Sequence, residues 1–212
     1  MDYNDPFKWL TERRPIYTGT WAGKPAANAV PLYSRARITD YGADGFSDWY
    51  TNGTRWVRGA LTIYNNGAIN VSSSSATETA LLTFAVKGGS LGPKGNVLFE
   101  WYQTHTNNAF SRTIRMRIGT GAFSTGHSLL WEQYASTTTQ AAGRIGFRNT
   151  NSESAQAATG LPFSFGLGNT TGTPHTAAIN TANDFNVSFS VVSDGTQSLS
   201  LSHAKATIFP GA

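Results

Sequence analysis

The sequence predicts an all-β protein in which a β-sandwich or jelly-roll-like domain takes up most of the chain. Only 13% of the 212 residues are charged, and 22 are glycines, a composition typical of sheets joined by polar, uncharged turns. Several short segments alternate apolar and polar residues with period two, which places one row of side chains in a core. Their regular spacing is typical of sandwiches and jelly rolls.

Three regions follow one another along the chain. They are an N-terminal anchor segment (1–18), a small β hairpin unit or linker (19–59) and the sandwich domain (60–212).

The first region predicts a short helix, because Pro6 suits a first helical turn and Pro15 would stop it. Its apolar side chains are candidates for docking on a neighbouring protein, since aromatic anchors are typical of interfaces. These anchor candidates are Phe7, Trp9 and Leu10. The alternative is that this segment packs on its own domain.

The second region contains a hairpin signal, Asn52-Gly53, between two short apolar stretches. Asn and Gly tolerate the positive φ of a type I′ turn, so this dipeptide predicts a two-residue hairpin loop. Trp49 and Trp56 flank the turn, and we expect them to pack across it as core residues. The alternative is that they stack on a ligand such as a glycan.

The third region contains eight predicted strands. They are 61–64, 79–86, 97–104, 112–118, 128–134, 142–149, 184–192 and 199–209. The third and fourth strands are predicted to form a hairpin, and so are the last two. Residues 150–181 are predicted to be a long loop with one short strand around 162–167.

Arg115 and Arg117 alternate with Ile114, Met116 and Ile118, so both arginines are expected on the face away from the core. One interpretation is an exposed or subunit-facing row. The other is contact with anionic glycans or with carboxylates of a neighbouring subunit.

Catalytic signals are weak in this sequence. There is no cysteine, and none of the four histidines has the spacing of a metal site, so we expect no metal and no cofactor. A glycosidase usually needs two carboxylates across a cleft, and Glu100 and Glu132 are candidates for such a pair. The alternative is that Glu100 pairs with Arg115 or Arg117 across neighbouring strands. We therefore expect no enzymatic activity.

The net charge of +4 is modest, and the basic residues are scattered. This pattern predicts no nucleic-acid partner. No apolar run approaches the roughly 20 residues of a membrane span, and the N-terminus lacks the pattern of a signal peptide. We therefore expect no membrane insertion.

Two stretches resemble modules of tailed bacteriophage virion proteins. The first has a GG-x-L-GP-x-GN/S start, an aromatic strand and a T-N-x-x-x-x-x-T-x-R-x-R-x-G segment. It matches at Gly88, Gly89, Leu91, Gly92, Gly95, Trp101, Thr106, Asn107, Thr113, Arg115, Arg117 and Gly119. The second is a small β element between an anchor and a distal domain. It matches at Ala27, Val30, Pro31, 38–40, Gly42, Trp49 and 51–56.

This resemblance, which covers about half of the chain, implies a virion structural protein, synthesised in the host cytoplasm and carried on the particle. It implies a short tail or collar fibre, a head fibre or a capsid decoration protein, bound to other virion proteins by its N-terminus. A homotrimer and contact between outer loops and a host surface glycan are further expectations. The alternatives are a free carbohydrate-binding sandwich and a polysaccharide depolymerase.

Overall fold

The computed structural model describes residues 15–43, 45–66, 69–73, 77–105, 112–135, 140–159, 172–193 and 197–211. The anchor candidates Phe7, Trp9 and Leu10 lie outside these residues. The regular secondary structure of the described residues consists of strands, apart from a single 3-10 turn at Ala27–Ala29. This confirms the predicted all-β class.

A small four-stranded sheet forms the N-terminal unit. Its strands are β1 (Tyr17–Gly19), β2 (Arg35–Ile38), β3 (Ser47–Thr51) and β4 (Trp56–Val57), in that spatial order. β1 runs parallel to β2, and the other pairs are antiparallel. The predicted boundary between residues 18 and 19 falls inside β1, and Tyr17, before this boundary, packs on the core.

Alternation along β2 and β3 gives this sheet a buried and a solvent-facing side. Ala36, Ile38 and Trp49 are fully buried. The Trp49 ring meets the Trp21 ring edge-on at 4.6 Å and stacks on Tyr41 at 6.2 Å. These side chains belong to the same buried core cluster as those of the sandwich. Large aromatic rings let so small a unit contribute much buried area.

The predicted two-residue turn at Asn52-Gly53 is wrong in its type, although the hairpin forms. β3 and β4 pair through Tyr50 with Val57 and Thr51 with Trp56, which leaves a four-residue loop, 52–55. Within this loop, only Gly53 has a positive φ, of 91°. The Asn52 Oδ1 atom accepts hydrogen bonds from the backbone N–H groups of residues 54 and 55. A side-chain turn thus replaces the type I′ turn.

Twelve further strands in the described residues form the two sheets of a sandwich. They are β5 (Leu61–Asn66), β6 (Ile69–Ser73), β7 (Thr79–Val86), β8 (Asn96–His105), β9 (Arg112–Gly119), β10 (Ser128–Ala135), β11 (Gln140–Asn149), β12 (Gln156–Thr159), β13 (Gly172–Pro174), β14 (Thr176–Ala177), β15 (Phe185–Ser193) and β16 (Gln197–Phe209).

One sheet has five strands in the order β13-β10-β9-β15-β7. The other has seven, in the order β14-β12-β11-β8-β16-β5, with β6 also paired to β16. Each of the eight predicted strands corresponds to one of these strands.

The core lies between the two sheets and is rich in aromatic rings. Phe99 of the seven-stranded sheet meets Phe84 and Phe189 of the five-stranded sheet at 5.8 and 5.1 Å between ring centroids. Near one end, Trp101 meets Trp131 edge-on at 6.1 Å. These contacts explain why the alternating apolar rows of the sequence belong to two facing sheets.

Both hairpins predicted in the sandwich are wrong. β8 pairs with β11 and β16, whereas β9 pairs with β10 and β15, so the chain crosses between sheets after β8. It crosses again between β15 and β16. Period-two alternation reports which side of a strand is buried, but it does not identify the neighbouring strand.

The region 150–181, predicted as one long loop, contains three short strands in its described part. β12 pairs with the end of β11, and β14 pairs with β12. β13 joins the other sheet beside β10. The short strand predicted around residues 162–167 lies outside the described residues.

Candidate functional site

The small sheet is fastened to the sandwich by polar contacts. The Trp21 indole Nε1 donates a hydrogen bond of 2.9 Å to the Gly88 carbonyl, and the Tyr41 hydroxyl lies 3.0 Å from the Ser90 Oγ. Arg55 forms an ion pair with Glu153 at 2.8 Å. The hydrogen bond of the Trp21 indole is half-buried, and the one between the Tyr41 hydroxyl and Ser90 is buried. Both are therefore stronger than exposed hydrogen bonds of the same kind. The small unit therefore packs against the sandwich as an additional layer.

A shallow cleft of about 450 Å³ lies at this junction, lined in part by Trp21, Lys24, Trp56 and Glu153. The Lys24 ammonium lies 3.7 Å from the centroid of the Trp21 ring and donates to the Trp21 carbonyl. Burial lowers the pKa of Lys24 below its usual value. This lysine covers the ring face that a sugar would need for stacking.

The glycine-rich motif before β8 has a structural role at the same junction. Gly92 has a φ of 70°, and its carbonyl accepts a hydrogen bond of 2.6 Å from the Asn149 side chain. Gly211 donates its N–H to the Leu91 carbonyl at 2.9 Å. A Cβ on Gly92 would clash with the Gly211 carbonyl. These glycines thus permit a close backbone approach that closes this end of the sandwich.

Trp49 and Trp56, the candidates for glycan contact, are 0% and 6% exposed. The Trp49 Nε1 donates to the Ser47 Oγ, and the Trp56 Nε1 donates to the Pro25 carbonyl. Every tryptophan in the described ranges is at most 6% exposed. None of these indoles therefore offers a stacking surface to a ligand.

Arg115 and Arg117 lie side by side on the outer face of the five-stranded sheet, where they bind carboxylates of their own chain. Arg115 contacts Glu132 at 2.6 Å and Glu78 at 2.9 Å. Arg117 contacts Glu78 at 2.6 Å and donates to the His127 carbonyl at 2.9 Å. The two positive charges are thus neutralised within the subunit, which leaves little charge for an anionic glycan.

Glu78 is the centre of this cluster, and the sequence did not single it out. Its side chain is only 4% exposed and also accepts a hydrogen bond of 2.6 Å from the Ser190 Oγ. Burial tends to raise the pKa of Glu78, but the hydrogen bonds from Arg117, Ser190 and Arg115 outweigh it and lower the pKa to about 2. The only feature of the sequence that points to Glu78 is that it is an isolated acidic residue directly before a strand without charged residues.

The paired carboxylates of a glycosidase are not brought together. Glu100 lies on the seven-stranded sheet, 3.6 Å from Arg144, and Glu132 lies on the five-stranded sheet beside Arg115. Each residue alternates with inward-facing neighbours, so the two carboxylates are on opposite outer faces. The predicted pairing of Glu100 with Arg115 or Arg117 is wrong for the same reason.

The described residues contain no group of three potential metal ligands. His127, for example, bonds through its ring to the Thr120 carbonyl at 3.1 Å. Nor does any helix in this part of the chain have the length and apolarity needed to cross a membrane.

Exposed apolar side chains are concentrated on the small N-terminal unit. Five large apolar residues are exposed in the described part of the chain. They are Ile16 (54%), Leu32 (53%), Tyr33 (47%), Phe46 (50%) and Phe209 (36%). Only the last of them belongs to the sandwich. The N-terminal unit therefore holds four of these five exposed side chains.

The chain matches no protein-family model and no curated protein sequence.

Several solved structures are similar in fold. One is the CBM2 module of the evolved Dit protein of Lactobacillus casei BL23 phage J-1, with 7% identity and a TM-score of 0.39 over 74% of this chain and 99% of that chain. A second is infectious bursal disease virus, Gt strain, with 10% identity and a TM-score of 0.36 over 72% of this chain and 33% of that chain. A third is Lectin I from Ulex europaeus in complex with the methyl glycoside of α-L-fucose, with 8% identity and a TM-score of 0.30 over 72% and 99% of the two chains. Matches at this level do not identify a function.

Proposed function

We propose that this chain is a non-enzymatic structural protein of a bacteriophage particle, a short fibre or decoration component. Its N-terminal part binds the particle, and the sandwich is presented to the host surface or to neighbouring subunits. The observation that carries this proposal is that four of the five exposed large apolar side chains in the described residues belong to the N-terminal unit, which residues 1–14 directly precede in the sequence. The virion-type sequence motifs support the same assignment.

Deleting residues 1–14 tests the proposed polarity. The variant should fold, because the described residues from Trp21 to Ile208 already form an extensive buried core. It should be lost from purified particles, and its unfolding free energy should stay close to that of the full chain. Normal incorporation of the shortened chain would contradict an N-terminal anchor.

The free carbohydrate-binding module is the alternative in a second class. It requires an exposed aromatic platform. The tryptophans of the described residues are buried, and the exposed aromatic side chains there are Tyr33, Phe46 and Phe209. The depolymerase alternative requires two carboxylates across a cleft, whereas Glu100 and Glu132 are on opposite faces. Saturable binding of host glycan by the monomer, or release of reducing sugar that Glu132→Gln abolishes, would favour these alternatives.

A homotrimer is part of the proposal. The described part of each sandwich sheet ends in strands with one unpaired side, β7 and β13 in one sheet and β14 and β5 in the other. Cyclic assembly would cover such edges, which otherwise invite unspecific pairing. Light scattering on the recombinant protein should give the mass of three chains, and a clean monomer at high concentration would contradict the trimer.

A further inference from the structure

Two side chains with polar atoms face the sandwich core from alternate positions of β8. Trp101 and Gln103 belong to the inward-facing row of this strand, and they are 3% and 0% exposed. The Trp101 Nε1 atom and both the Oε1 and the Nε2 atoms of Gln103 have no hydrogen-bond partner in the described part of the chain. Three polar atoms are thus buried on the same side of one strand without a protein partner.

Elsewhere the fold supplies every partner that a buried amide needs. Gln156 is also buried, and its Nε2 atom donates to the Asn149 Oδ1 atom and to the Ile179 carbonyl, both at 3.1 Å. Its Oε1 atom accepts a hydrogen bond of 3.0 Å from the Ile179 N–H. Unpaired buried polar atoms are rare in folded proteins, because each retains the full cost of leaving water. The contrast with Gln156 indicates a bound guest at Gln103 and Trp101.

The surroundings of these atoms determine the chemistry of that guest. The Trp101 ring centroid lies 5.0 Å from that of Phe189 and 6.1 Å from that of Trp131, and Gln103 pairs across the sheet with Leu201. These neighbours are buried and uncharged, so they could not compensate the charge of an ion. The indole N–H is a donor, and the amide offers both donors and an acceptor. The guest must therefore be neutral and able both to accept and to donate hydrogen bonds.

We propose that this part of the core is a binding site for ordered water, with at least one water molecule bridging the Trp101 indole and the Gln103 amide. Water can accept from the N–H groups and donate to the Gln103 Oε1 atom. A buried water typically makes about three hydrogen bonds to polar groups that otherwise lack a partner. The site also explains how a glutamine can continue the inward-facing row of Val97, Phe99 and Trp101. The inference is independent of the proposed function.

A crystal structure of the full-length protein, at a resolution that shows ordered water, tests the site directly. Density for a water molecule should lie about 3 Å from the Trp101 Nε1 atom and from a polar atom of Gln103. Gln103→Met keeps the length of the side chain without its amide, so the water should be lost from this variant. Tyr102→Phe is the matched control. It removes a polar atom from the outer side of the same strand and should leave the water in place.

Urea unfolding gives a second test that does not need crystals of a variant. If water pairs with Gln103, Gln103→Met loses hydrogen bonds and should raise the unfolding equilibrium constant at least about fivefold, the net effect of one such bond. If the amide is unpaired, the methionine removes the cost of burying it, and the constant should fall. An unchanged or lower constant would overturn the inference.

Three crystallographic results would overturn it as well. Without density beside Trp101 Nε1 and Gln103, the three atoms are unpaired. A hydrogen bond between Trp101 and Gln103, or from either to another side chain, would mean that the protein itself satisfies these atoms. Density for a larger organic molecule would assign the site to another ligand.

Discussion

Replacing Glu78 with Gln should destabilise the protein strongly and change its response to acid. The Glu78 carboxylate is buried beneath Arg115 and Arg117, and its pKa is lowered from an ordinary 4.5 to about 2. A change of this size corresponds to about 3 kcal/mol of folding free energy at neutral pH. A glutamine amide cannot neutralise the two arginines, so Glu78→Gln should lose about that amount.

The sign of the pH dependence follows from the lowered pKa of Glu78. The folded state binds this proton less readily than the unfolded state, so the stabilisation is complete above the ordinary pKa of 4.5. It is lost as the pH falls from there through about 2. At about pH 3 less than half of it should remain. The difference in unfolding free energy between wild type and Glu78→Gln should narrow accordingly.

Urea unfolding followed by tryptophan fluorescence measures both effects. Glu100→Gln is the matched control. Glu100 is 37% exposed and lies 3.6 Å from Arg144, with both residues on the seven-stranded sheet. An exposed pair of this kind is worth about 0.5 kcal/mol. The reasoning is refuted if Glu78→Gln costs no more than this control, or if its effect is equal at both pH values.

Four further substitutions, one of them a control, test the junction and the core by the same unfolding measurement. Gly92→Ala should cost about 3 kcal/mol, because the methyl group meets the Gly211 carbonyl, whereas Gly121→Ala, at a similar φ with open space, should cost about 1 kcal/mol. Equal costs would contradict the close approach. Trp49→Ala should cost about 4 kcal/mol, since the residue is fully buried. Trp21→Phe should cost about 1 kcal/mol by removing the bond to Gly88.

The strands of the sandwich were predictable because burial of one side of a strand produces a local alternation of apolar and polar residues in the sequence. Ile114, Met116 and Ile118 are fully buried, as their alternation with Arg115 and Arg117 predicts. No such local pattern in the sequence identifies the sheet to which a strand belongs. β8 and β9 are neighbours in sequence, yet the chain crosses between sheets, and both hairpin predictions failed for that reason.

The partners of Arg115 and Arg117 could not be predicted from the sequence for the same physical reason. Glu78 precedes β7 and lies 39 positions from Arg117 in the chain, and only the order β9-β15-β7 brings its carboxylate over the arginines. Nor could the contact between Phe46 and Arg37 be predicted, because Phe46 lies outside any alternating pattern and the contact requires the pairing of β2 with β3.

Mass spectrometry of purified particles tests the central claim most directly. If this chain is a structural component, its peptides should be present at a constant ratio to the major capsid protein after repeated density-gradient purification. They should be depleted in particles grown with the variant that lacks residues 1–14. Absence of the wild-type chain from particles that contain the other structural proteins would contradict the account.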